Sequence, residues 1–337
     1  MLVLVVVLAA FGVCMTSGCT GPHKGQPPSA VPDRATKKLY LKMVQESAKL
    51  SSQERAAIAL AEMERSDAWL VWALIAYRRI VQDVKVPYLP PERQTEIIGP
   101  EPFVVAALLR NLPDGTSIPV QLAVTEFLDE TRDGSWSGKR GFFLTPTIVE
   151  YTTDPMREIA RNALARLTGK DHGFDQRAWH KAILASAPQA GSGPLFVRMM
   201  PEGAATRDRR AAAAALAGAE GSAPWIVWVL SASDPFMRGE EPGKEVAMSD
   251  RAVLAALLEK LPDDAPLPVL LAVTVQLSET ERGTYSTEDG LPGELSTGPI
   301  REIARDALKR ITGQDHGFDA HKWRKAILKL PPRRTTD

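Results

Sequence analysis

Two loops carry the residues best suited to chemistry. His172 lies between Asp171 and Asp175 in the run Asp-His-Gly-Phe-Asp, and His316 lies between Asp315 and Asp319 in the same run. An imidazole flanked by carboxylates is the beginning of a divalent-cation site. Each loop supplies one ring and two acids, too few convergent ligands without distant partners. His172 and His316 are therefore weak metal candidates, and the preferred reading assigns no metal, no cofactor and no catalytic residue. His180 and His321 follow on the next helix at positions that do not correspond, since His180 aligns with Arg324. Cys14 and Cys19 are the only cysteines, so the body of the chain offers neither a thiol nucleophile nor a thiolate zinc site. The H-E-x-x-H, G-x-S-x-G, P-loop and dinucleotide fingerprints are all missing.

The residues around each histidine explain why the loops exist. Gly169 follows the last periodic residue of a helix and suits the left-handed position that ends it. Asp175 suits the N-cap of the next helix, where its carboxylate accepts orphan backbone N–H groups. Phe174 and Trp179 then stand at the spacing of a hydrophobic staple. Gly313, Phe318, Asp319 and Trp323 repeat the arrangement. Read this way, the loops are tight turns between antiparallel helices.

That repetition is part of a larger one. Residues 157–184 and 301–328 are identical at 20 of 28 positions at a constant offset of 144. Upstream, VVAALLRNLPD (104–114) matches VLAALLEKLPD (253–263), and PVQLAVT (119–125) matches PVLLAVT (268–274), both at an offset of 149. Further upstream, Trp69 and Trp72 match Trp225 and Trp228 at an offset of 156. Order is kept while the offsets shrink, as two copies of one module with loop deletions would give.

Within each copy the periodicity is helical. Ile159, Ala160, Ala163, Leu164 and Leu167 fall on one face, with Arg157, Glu158, Arg161 and Arg166 on the others. Alanine-rich stretches at 55–63 and 209–220 are strong helix formers, and no segment sustains the alternation of a strand. The first copy predicts helices near 51–64, 67–82, 102–111, 117–131, 155–168 and 176–186. Long connections are expected near 83–101, 131–154 and 234–249.

The pattern R-x-x-A-x-x-A-L-x-x-[LI]-T-G-x-D-x-G-F-D-x-x-x-W runs from Arg157 to Trp179 and again from Arg301 to Trp323. It resembles the closing repeat of bacterial HEAT-like (armadillo-type) repeat proteins. Such segments often end on a second Trp, whereas Ala182-Ile183 and Ala326-Ile327 stand there in this chain. The resemblance implies an all-α fold, an α-solenoid of helical hairpins built from two duplicated HEAT-like modules and offering an extended surface to partners.

The ends and the composition bear on location. Residues 2–15 form an unbroken apolar run of fourteen, short for a membrane span of about 20 residues and right for a signal-peptide core. Ser17-Gly18-Cys19 resembles the lipobox of bacterial lipoproteins, which implies cleavage before Cys19 and lipid attachment to it. Two features depart from that pattern: Thr16 stands where an aliphatic residue is usual, and no Lys or Arg precedes the apolar run. The expected organisation is a signal peptide over 1–18, an extended linker over 19–36, module 1 over 37–187, a linker over 188–205, module 2 over 206–331 and a tail over 332–337. Lys plus Arg and Asp plus Glu both number 41, a balance that argues against nucleic acid as a partner.

The expected function is a non-catalytic, membrane-tethered scaffold for protein partners, exported and facing the periplasm or the cell surface. Trp136, with Lys139 and Arg140 beside it in a polar loop, is a possible contact point. Trp69, Trp72, Trp225 and Trp228 read as core. Two alternatives stay open: an enzyme or enzyme accessory of the bilin-lyase-related HEAT class, and an envelope polysaccharide or peptidoglycan binder. Exposed tryptophans would favour ligand binding and buried ones the scaffold.

Overall fold

The computed structural model describes residues 32–45, 48–83, 102–128, 136–138, 147–149, 154–187, 190–200, 205–232, 246–277, 285–286, 292–293 and 298–331. The apolar N-terminal run, Cys19, Lys139 and Arg140 lie outside them. Among the described residues no helix is long and apolar enough to cross a membrane.

The chain is all-α. Its helices are α1 (Pro32–Met43), α2 (Leu50–Ala61), α3 (Asp67–Asp83), α4 (Pro102–Arg110), α5 (Ile118–Thr125), α6 (Asp154–Thr168) and α7 (Gln176–Ala185). These are followed by α8 (Ser192–Met199), α9 (Thr206–Ala217), α10 (Ala223–Ser231), α11 (Val246–Glu259), α12 (Leu267–Val273), α13 (Gly298–Thr312) and α14 (Ala320–Lys329). Short 3-10 turns extend α5 to Leu128 and α12 to Leu277. Two small antiparallel pairs decorate the connections: β1 (Trp136–Gly138) with β2 (Thr147–Val149), and β3 (Tyr285–Ser286) with β4 (Pro292–Gly293).

Two helices occupy ground expected to be linker. The first turn of α1 reaches back to Pro32, whose fixed φ and missing N–H suit a first helical position. Helix α8 fills the middle of the segment 188–205. Its signal is short: Phe196 and Met199 are fully buried, Leu195 packs beside them, and Pro194 and Gly193 interrupt the composition that would announce a helix. Gly191 precedes it at φ 81, a conformation that a side chain would resist.

Packing sorts the helices into outer and inner rows. In the first copy α2 packs on α4 and α4 on α6, while α3 packs on α5 and α5 on α7. In the second, α9, α11 and α13 make the outer row and α10, α12 and α14 the inner one. The inner rows face each other. Helix α3 packs on α10 and on α12, and α10 packs in turn on α5. Under the sequence offsets of 156 and 149, the pair α3–α12 corresponds to the pair α10–α5.

Hydrophobicity explains who lies inside. Every residue from Pro119 to Thr125, from Trp225 to Ser231 and from Leu267 to Val273 is buried. A helix apolar all round must be covered on all sides. The outer α6 and α13 instead bury one stripe, with Ala160 and Leu164, and Ala304 and Leu308, at or near zero exposure. Polar side chains close the seams. Arg209 donates from Nε to the Met199 carbonyl at 2.9 Å and ties α9 to α8. Lys37 donates to the Leu330 carbonyl at 2.6 Å and joins α1 to the end of α14.

Candidate functional site

The Asp-His-Gly-Phe-Asp turns are built from the backbone outward. Helix α6 ends at Thr168, and Gly169 takes φ 70 while its N–H donates to the Ala165 carbonyl at 2.9 Å. Gly173 takes φ 60 and brings its carbonyl to the indole N–H of Trp179 at 2.9 Å. Asp175 caps α7, its carboxylate accepting from the Ala178 N–H at 3.0 Å. Such a cap contributes about 1 kcal/mol. Trp179 is fully buried, so the turn is pinned to the core through a ring that also satisfies its one polar atom.

Asp171 is spent on the same turn. Its Oδ1 accepts from the Gly173 N–H at 2.8 Å and from Arg161 Nε at 3.0 Å, and its Oδ2 accepts from Arg161 Nη2 at 2.5 Å. The two-pronged bond from Arg161, reinforced by the Gly173 N–H, holds the Asp171 carboxyl down at about 2. His172 lies edge-on to Trp179, ring centroids 4.9 Å apart at 87°. Its Nε2 is buried with no hydrogen-bond partner among the described residues. Above the turn, the Arg157 guanidinium sits 4.0 Å from the Phe174 centroid while Nε donates to the Leu128 carbonyl at 2.9 Å. A cation over an aromatic face contributes ~0.5–2 kcal/mol, depending on desolvation.

The second turn repeats this closely. Gly313 and Gly317 take φ 70 and 60. Asp315 receives Arg305 at 3.0 and 2.5 Å and the Gly317 N–H at 2.9 Å, and Lys309 approaches to 3.3 Å. The Asp315 carboxyl is held well below the ordinary carboxylate range, first by the Arg305 bond and then by the Gly317 N–H. Asp319 caps α14 through the Lys322 N–H at 2.9 Å, and Trp323 donates to the Gly317 carbonyl at 2.8 Å. Arg301 stands 3.8 Å over Phe318. His316 differs: its Nε2 meets Gln314 Oε1 at 3.0 Å.

These bonds bear on the metal candidates. Each acid preceding a histidine is committed to an arginine and a backbone N–H, and each acid following one caps a helix. Among the described residues no group of three or more His, Cys, Asp or Glu side chains converges as a cation site would require. Gly169 and Gly313 take left-handed φ, Asp175 and Asp319 accept a backbone N–H at the start of the next helix, Trp179 and Trp323 are buried, and Phe174 and Phe318 lie beneath Arg157 and Arg301. Trp69, Trp72, Trp225 and Trp228 are all at most 5% exposed. Trp136 pairs with Val149 across the β1–β2 ladder.

One pair of residues with a shared role was hidden by their different types. His180 and the Thr125 hydroxyl are 2.6 Å apart, and that hydroxyl donates its only proton to the Leu122 carbonyl at 2.7 Å. The imidazole Nε2 is therefore the donor. Arg324 does the same work in the second copy, giving Nε to Thr274 Oγ1 at 2.9 Å, while Thr274 donates to Leu271 at 2.6 Å. The offset of 144 that aligns His180 with Arg324 was the available signal. His180 also sits edge-on to Trp228, centroids 6.0 Å apart, so it reaches from the first copy into the second. No protein-family model, curated protein or solved structure matches the chain.

Proposed function

We propose that this chain is a non-catalytic, membrane-tethered helical-repeat protein that works as a protein-interaction scaffold in the cell envelope. In this reading α2 to α7 and α9 to α14 are two HEAT-like stacks of hairpins, the duplicated modules of an α-solenoid, and Cys19 carries the lipid that tethers them. The observation that supports it is the commitment of the chemically able residues. The turn carboxylates bind arginines and backbone donors, and the four paired tryptophans are buried rather than offered as a ligand platform.

The packing also limits where a partner can dock. An open helical array presents its inner row as a groove. Here α3 and α5 meet α10 and α12 instead, so a partner is left with the outer helices and the connections. The region that runs from the linker through α1 to Lys49 carries Lys24, Arg34, Lys37, Lys38, Lys42 and Lys49 against Asp33 and Glu46, a mildly basic balance that suits an anionic membrane surface.

Two experiments test the reading. Cys19→Ser should move the protein from the membrane fraction to the soluble one, and unchanged membrane retention would sink the lipid tether. Crosslinking in the native envelope, followed by recovery of the full chain, should enrich a defined partner protein. Recovery of the chain alone would remove the scaffold.

A further inference from the structure

The outer face is not the same in the two copies. Between α9 and α11 the surface dips into a cleft of about 390 Å³, floored by Ala211, Ala214 and Ala256 and flanked by Arg207, Arg210 and Lys260. Glu259 is the single carboxylate on its rim. The internal duplication supplies a comparison. At an offset of 156, Arg55 and Ile58 stand where Ala211 and Ala214 floor the cleft, and Ser51 and Glu54 stand where Arg207 and Arg210 flank it. At an offset of 149, Asn111 replaces Lys260 and Arg110 replaces Glu259. The buried positions of α2 and α9 coincide, Ala56, Ala57, Leu60 and Ala61 against Ala212, Ala213, Leu216 and Ala217. Arg207, Arg210 and Ala211 lie on the exposed side of α9 and Ala214 is half-buried, while the buried position that differs, Arg209 for Gln53, lies outside the cleft.

On that side the second copy has lost bulk and gained positive charge at once. Removing large side chains opens an apolar floor between two helices, and three cations around one carboxylate give the rim a net positive field in a chain with no net charge. A bare phosphate would use the cations and leave the alanine methyls unoccupied. A membrane surface would not enter a cleft between helices. A chain segment bearing both acidic and small apolar side chains satisfies floor and rim together.

We propose that the cleft between α9 and α11 docks an acidic peptide segment of a partner protein, its apolar side chains on Ala211, Ala214 and Ala256 and its carboxylates on Arg207, Arg210 and Lys260. The proposal rests on the scaffold reading and names the surface that reading uses.

The test uses the full chain and a fluorescent peptide alternating Glu with Leu and Ala, followed by anisotropy at low and high salt. The wild type should bind, and more weakly as salt screens the rim. Ala214→Ile installs the first copy's residue without altering charge and should weaken binding about tenfold or more, equivalent to ~1.4 kcal/mol. Arg210→Glu should weaken it similarly and flatten the salt dependence. Arg55→Glu, on the first copy's outer face, should leave it unchanged. Equal binding by wild type and Ala214→Ile overturns the cleft, as does binding to phosphatidylglycerol vesicles with no binding to the peptide. The scaffold reading fails separately, if envelope crosslinking recovers no partner. A recovered partner that crosslinks equally to wild type and Ala214→Ile overturns the cleft alone.

Discussion

The indole N–H of Trp72 donates to the hydroxyl of Tyr40 at 2.9 Å, inside the core. The second copy reproduces the surroundings without the bond. Tyr40 lies against Trp69 at 4.9 Å with an interplanar angle of 36°, and Phe196 lies against Trp225 at 4.5 Å with the same angle. Phe196 has no hydroxyl, and the N–H of Trp228, the counterpart of Trp72, finds no acceptor among the described residues. Burial drives the Tyr40 phenol far above its ordinary value, opposed by the Trp72 bond, so Tyr40 stays neutral and available as an acceptor. One phenolic oxygen separates a partnered indole N–H from an orphaned one.

Tyr40→Phe should therefore recreate in the first copy the defect present in the second. An orphaned buried donor costs ~1–3 kcal/mol, read as a lowered denaturant midpoint at unchanged slope. Phe196→Tyr should raise the midpoint by up to about 1 kcal/mol, the net value of one hydrogen bond. An unchanged midpoint in Tyr40→Phe would show that the Trp72 N–H reaches another acceptor.

The turn carboxylates predict an acid limb to stability. The Asp171 carboxyl is held at about 2 and that of Asp315 lower still, against about 3.9 in an unfolded chain. Groups depressed on folding contribute stability that is fully present above the unfolded value and lost as pH falls through the folded one. Both side chains are partly exposed, so the solvent screens each pair. Unfolding followed from about pH 5 down to about pH 2 should show a loss that Asp171→Asn with Asp315→Asn flattens. An identical acid limb in the double variant would remove the arginine pairs as its source.

Legibility differed by level. The helices of each copy were readable because α6 and α13 keep a single apolar stripe, and Gly169, Asp175 and their counterparts mark the turns with residues that only a cap or a left-handed φ requires. Helix α8 was not, because a short helix with Gly193 and Pro194 in its first turn carries too few residues for its period to appear. The meeting of the inner rows had a signal of a different kind. PVLLAVT is apolar up to Thr274 and PVQLAVT holds only Gln121 and Thr125 as polar side chains, a composition that a stack open on one side would leave uncovered. The shared donor role of His180 and Arg324 needed the alignment of unlike residues on one threonine, and the cleft between α9 and α11 needed the absence of side chains, which no motif records.

The buried tryptophans of the turns should dominate stability. Trp179 and Trp323 are fully buried, and each indole also binds a turn carbonyl. Truncating either to alanine removes a large ring and leaves Gly173 or Gly317 short of a donor, a loss of about 3–5 kcal/mol. Asp175→Ala removes only the cap and should cost about 1 kcal/mol. Denaturant midpoints ranked in that order would support the hierarchy, and equal losses would place the cap rather than the ring at the centre of the turn.

His180 adds a second, milder pH dependence at the place where the copies meet. Burial holds its imidazole below the ordinary value, and the Glu126 carboxylate works in the opposite direction. The folded chain thus prefers the neutral ring, consistent with a single Nε2–H donated to Thr125 beside Trp228. A histidine depressed on folding contributes stability above its unfolded value of about 6.5 and loses it as pH falls further. Arg324 makes the same bond with a cation that does not titrate in this range. Acidifying from about pH 7.5 to about pH 5 should lower the wild-type midpoint, while His180→Gln, which keeps an N–H donor without a titratable ring, should lose most of that sensitivity. An undiminished acid response in His180→Gln would assign the effect to other groups and leave the seam between the copies indifferent to pH.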